Sequence, residues 1–81
     1  MAKIRSFAPS TQNVSRHPSE TDLEYKLIGD PPDQLLHLST FGSDDRASHR
    51  KSSQSLQLDR EGAAQLLRIL LDAFPGLKPA S

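Results

Sequence analysis

The stretch Asp59–Phe74, DREGAAQLLRILLDAF, narrows the possible folds of this chain more than any other. At about 100° per residue, only Gln65, Arg68 and Asp72 line up as a polar strip through its middle. Ala63, Ala64, Leu66, Leu67, Ile69, Leu70, Leu71, Ala73 and Phe74 fill the remainder, a wider apolar arc than one sheet covers. The ends are marked as well. Asp59 is placed to cap the first turn by accepting a backbone N–H, and Glu61 suits the positive end of the helix dipole. Pro75-Gly76 stops the run. A helix apolar on nearly two sides calls for two partners, its own sheet and a second subunit. Leu66, Ile69, Leu70, Ala73 and Phe74 are the expected homodimer interface.

That second partner is needed because the chain is small. Its 81 residues allow one domain, with an ordered part short enough for burial to be marginal without help. There is no Cys, which excludes disulfides and thiolate metal sites and fits a reducing cytoplasm, a nucleoid-associated location included. No run of about 18 apolar residues is present to span a membrane, and the N-terminus lacks the apolar core of a signal peptide. Ten basic and ten acidic side chains cancel, which argues against indiscriminate attachment to nucleic acid but leaves room for a local patch.

Residues 1–21 are rich in Ser, Thr, Asn and Gln with Pro9 and Pro18, and read as a flexible arm in which Lys3–Phe7 is a candidate short strand. Asp22–Leu27 alternates strictly. Leu23, Tyr25 and Leu27 share an inward face; Asp22, Glu24 and Lys26 share the other. Gly29–Asp33 is a turn whose two prolines cannot donate to a ladder. Leu35–Phe41 then returns as the second strand of an antiparallel hairpin, with Leu36, Leu38 and Thr40 on one face and Leu35, His37, Ser39 and Phe41 on the other. Gly42–Ser53 is a polar loop, Gln54–Leu58 a brief strand with Leu56 and Leu58 inward, and Asp59 turns it straight into the helix. The expected fold is α+β: a small antiparallel sheet of three to four strands followed by one C-terminal helix, over residues 22–76, with 77–81 as a tail.

Nothing in the chain assembles a catalytic signature. His17, His37 and His49 are far apart and share no metal-ligand spacing, Asp44 and Asp45 point apart on an extended chain, and no nucleophile elbow or phosphate-binding glycine motif occurs. The expectation is a non-enzyme with no metal, cofactor or small-molecule substrate. A surface remains. Arg46, His49, Arg50 and Lys51 lie among serines in the 42–53 loop, suited to phosphates, while His37 and Phe41 offer rings on which an unstacked base can lie. Free bases occur in single strands, so single-stranded DNA or RNA is the expected partner. Charge neutrality and the surplus apolar surface of the helix carry the alternative, a regulatory module that binds another polypeptide through that helix without nucleic acid.

The order of hairpin, basic polar loop, short strand and helix resembles the single-stranded-DNA-binding domain of the transcriptional positive cofactor four family. Whirly and Pur-alpha folds share related sheet-then-helix units. The resemblance covers about residues 22–75 and is one of layout. It implies a homodimer with its helices packed together and its sheets presenting a nucleic-acid groove, in a transcription or DNA-metabolism accessory factor. On that layout Phe41 stands for the strand's aromatic stacking residue, and Arg46, Arg50 and Lys51 for the loop cations.

Overall fold

Four strands and one helix follow in the order β1 (Ala2–Lys3), β2 (Leu23–Ile28), β3 (Leu35–Phe41), β4 (Ser52–Leu58) and α1 (Arg60–Ala73) in the computed structural model, which describes residues 1–41 and 52–80. The architecture is α+β, a four-stranded sheet with one C-terminal helix, as the alternation and the helical periodicity require. The sheet runs β1-β4-β3-β2. β2–β3 and β3–β4 are antiparallel, but β1 pairs with β4 in parallel, so the sheet is mixed rather than wholly antiparallel. A short parallel pair at an edge is open to β1 because a long connection, residues 4–22, joins it to the rest of the sheet. The 1–21 segment is anchored at its start. Beyond β1, Ile4 donates its N–H to the Gln57 carbonyl at 2.8 Å, and Phe7, Ala8 and Pro9 line a groove with Gln65, Arg68, Ile69 and Asp72 of α1. The polar strip of the helix is thus the side the arm lies along.

Register puts the side chains where period two predicts. Leu23, Tyr25 and Leu27 pair with Thr40, Leu38 and Leu36, and the last two pair in turn with Leu56 and Leu58. One face of the sheet is therefore almost wholly apolar. A β-bulge at Thr40/Phe41 shifts the register where β3 meets the start of β4, so Thr40 faces Gln54 and Phe41 faces Ser52. In the β2–β3 connection Gly29 takes φ 78°, a conformation that disfavours side chains with a Cβ, and Asp33 N–H closes the turn on the Asp30 carbonyl at 3.0 Å.

The helix begins as its cap residue dictates. Asp59 is extended, and its Oδ1 accepts the Gly62 N–H at 2.8 Å. That bond holds the Asp59 carboxyl below its ordinary pKa against the opposing effect of desolvation, and the nearby Lys3 ammonium, 3.5 Å from Oδ2, lowers it further. Gly62 is buried where α1 crosses the end of the sheet: an added Cβ would stand 3.3 Å from Leu58 Cδ2 and 3.8 Å from the Ile4 carbonyl oxygen. A glycine in the first turns of a helix weakens it, so this close approach is the reason for the residue. At the other end Phe74 N–H bonds the Leu70 carbonyl, and Gly76 at φ 85° carries the chain away.

The core formed within one chain is very small. Leu58, 2 % exposed, is the one buried hydrophobic side chain among the described residues. Tyr25, expected inward, is on the apolar face yet 73 % exposed, and Leu23 and Leu27 are likewise exposed. The correction has a simple physical cause: alternation sorts side chains onto faces, but a face is buried only if another layer lies on it. Here α1 meets the sheet chiefly at β4.

Candidate nucleic-acid interface

The second face of the sheet, beyond the apolar pair Ile28–Leu35 at one end, is polar and is ordered in rows. Lys26 pairs with His37, His37 with Gln57, and Gln57 with Lys3, so one row crosses all four strands with an ammonium at each end. Three strand spacings separate those ends, about 14 Å. A second row holds Glu24, Ser39 and Ser55. Ser39 is 8 % exposed, buried between its neighbours on β2 and β4. The face therefore has a cation at each end of one row with an imidazole in that row's middle, and the Glu24 carboxylate beside small hydroxyls in the next row.

His37 is half-buried and held in place. The Gln57 amide nitrogen lies 3.1 Å from its Nδ1. With Gln57 donating, Nδ1 is the acceptor and the ring proton is on Nε2, which leaves Nε2–H as a donor. Lys3 is partly committed elsewhere through its ion pair with Asp59, a surface contact that contributes little to stability. Phe41 follows His37 and Ser39 along the alternation of β3 and is half-buried near the bulge. Its carbonyl accepts the Thr21 hydroxyl at 2.7 Å, and the segment His17–Thr21 borders an open groove of about 430 Å³ with Thr40, Phe41 and Gln54.

His37 and Phe41 are thus on one strand, with the register irregularity at Thr40/Phe41 between them. Arg46, His49, Arg50 and Lys51 lie outside the described residues. Phe41 and Ser52, which flank that stretch in sequence, pair with each other across β3 and β4. Of the proposed interface residues on α1, Leu66 and Leu70 are half-buried, whereas Ile69, Ala73 and Phe74 are exposed, Ile69 beside the Phe7–Pro9 segment. Leu67 and Leu71, exposed too, complete with Phe74 a stripe at helical spacing.

No protein family, curated protein or solved structure matches this chain. Function is therefore argued from the surface alone. Among the described residues no group of three or more His, Cys, Asp and Glu stands together to hold a metal ion. Among the described residues no helix is long and apolar enough to cross a membrane. Sequence reasoning placed Lys26 on the polar face but missed Lys3 and Gln57 as its row companions. Gln57 is recoverable from the parity of β4. Lys3 is not, because its place depends on a pairing with a strand more than fifty residues away.

Proposed function

We propose that this chain is a homodimeric single-stranded nucleic-acid-binding module, acting as an accessory factor in transcription or DNA metabolism. The observation that supports it best is the row Lys26–His37–Gln57–Lys3, a polar track with a cation at either end and a ring in its middle. Phosphates attract the ammonium groups, and bases freed from a duplex stack on flat side chains. On this reading His37 and Phe41 take bases, while Arg46, His49, Arg50 and Lys51 neutralise the backbone.

The test is fluorescence anisotropy of a labelled single-stranded oligonucleotide at low salt. Binding is expected to weaken as salt rises and to fall strongly in the Arg50→Ala/Lys51→Ala chain. No binding at high-micromolar protein, or binding indifferent to that double substitution, defeats the proposal. The exposed stripe Leu67, Leu71 and Phe74 favours a second reading, in which the helix docks on a different polypeptide. Recovery of one stoichiometric protein partner by a chain that binds no oligonucleotide is the result that would select it.

A further inference from the structure

Two apolar surfaces of this chain are left open, and they are of complementary kinds. One is the sheet face, where Leu23, Tyr25 and Leu27 are each more than half exposed and Leu56 is open as well. The other is the helix stripe Leu67, Leu71 and Phe74. An α+β unit is stable as two layers, a sheet with helix upon it. This chain stacks them only in part: α1 leaves β4 after the single residue Asp59 and covers Leu58 through Gly62, Leu36 and Leu38 are half-buried, and Leu23, Tyr25, Leu27 and Leu56 stay open.

We propose that α1 of a second copy lies across this sheet face, and that the first copy's α1 lies reciprocally across the face of the second. The inference rests on the homodimer part of the reading above and needs nothing of its nucleic-acid part. Four observations identify the occupant. Each chain has one uncovered sheet face and one unspent helix, so a two-fold exchange closes with nothing left over. The helix has 14 residues, about 21 Å, enough to cross the roughly 14 Å between β2 and β1. The face carries no charged side chain on β2, β3 or the described part of β4, so an apolar helix meets no unpaired ion there. Area agrees as well. The chain exposes 7765 Å², whereas a folded protein of 8.9 kDa exposes roughly 4,800 Å². Obligate dimers remove roughly 1,000–2,500 Å² from each subunit, an amount that fits within this difference although the largely exposed residues 5–22 also contribute to it.

The geometry distinguishes this arrangement from helices packed only on each other. In the exchange Tyr25 and Leu27 touch the partner subunit's helix. In a helix–helix dimer they remain in water.

Because the natural chain has no Cys, introduced thiols report contacts cleanly. Two differently tagged full-length chains are mixed after unfolding and refolding together, one carrying Tyr25→Cys and the other Leu67→Cys, Leu71→Cys or Phe74→Cys. They are then treated with a short bis-maleimide. The expected product is a covalent species bearing both tags for at least one helix position, with far less product from either chain alone. Light scattering of the unmodified protein should give a mass of two chains, and its thermal midpoint should rise with protein concentration. A folded monomer with a concentration-independent midpoint overturns the proposal, as does a larger assembly. So does a dimer linked only between like positions, helix to helix or sheet to sheet. Oligonucleotide anisotropy on the same sample separates the two ideas: an exchanged dimer that binds nothing leaves this inference standing and sinks the functional one.

Discussion

The β4–α1 junction and the apolar sheet face are built from the same kinds of residue and end in opposite states. At the junction Leu58 is closed in by Gly62 and the Ile4 backbone, Asp59 caps the helix, and Lys3 stands beside the cap. Two strands over, about 10 Å away, Leu27, on the same face as Leu58, is open. Hydrophobicity does not separate them. What separates them is whether the chain itself returns to cover the spot. The junction is completed within one chain, and the face waits for a second, so interactions of the first kind should be independent of concentration and those of the second should not.

Substitutions can break that contrast. The largest effect is expected at Leu58→Ala, about 2–5 kcal/mol of stability, because truncation leaves a cavity at the one closed apolar spot. Urea unfolding measures it, and a loss under 1 kcal/mol would mean that the junction is not the closed region it resembles. Next, Leu27→Ala should cost about 1.5–3 kcal/mol per chain if a second copy covers it, and the cost should shrink on dilution as the copies separate and Leu27 becomes exposed in both chains. In a monomer it would stay within about 0.5 kcal/mol, as for any exposed site. Gly62→Val should cost about 1–3 kcal/mol, since branched methyl groups must enter space where a bare Cβ already stands 3.3 Å from Leu58. Midpoints that stay unchanged in that variant would show that the helix start can shift without loss.

The smallest effect belongs to the cap. Asp59→Ala should lower the thermal midpoint by several degrees, on the order of 5 °C, while Asp59→Asn, which still accepts the Gly62 N–H, should recover most of it. The pH dependence has a definite sign. The folded pKa of Asp59 is below its unfolded value, so its stabilisation is full above the ordinary carboxylate range and is lost as pH falls through the lowered value. The gap in midpoint between wild type and Asp59→Ala should therefore narrow under acid. A gap that widens there would contradict the capping geometry.

Local chemistry made much of the fold legible in advance. The faces of β2 and β3 follow from strict alternation, the start of α1 from Asp59, its end from Pro75-Gly76, and the hairpin turn from Gly29 and the prolines. Each of these depends on residues within a few positions of one another. His37 and Phe41 could be assigned to one face for the same reason. The placement of Lys3 could not. Whether Ala2–Lys3 joins β4, and in parallel, depends on closing a long loop onto a strand far away in the chain.

The amino-acid order by itself therefore determined which side chains share a surface: an apolar and a polar face on the sheet, and a helix with more apolar area than one sheet covers. Only the tertiary structure decided that α1 meets its own sheet chiefly at β4, that the polar row runs from Lys26 to Lys3, and that Leu58 is closed while Tyr25 is open. The reason is one of range. Period and capping are properties of neighbours along the chain, whereas burial is a property of whatever else arrives at the same place.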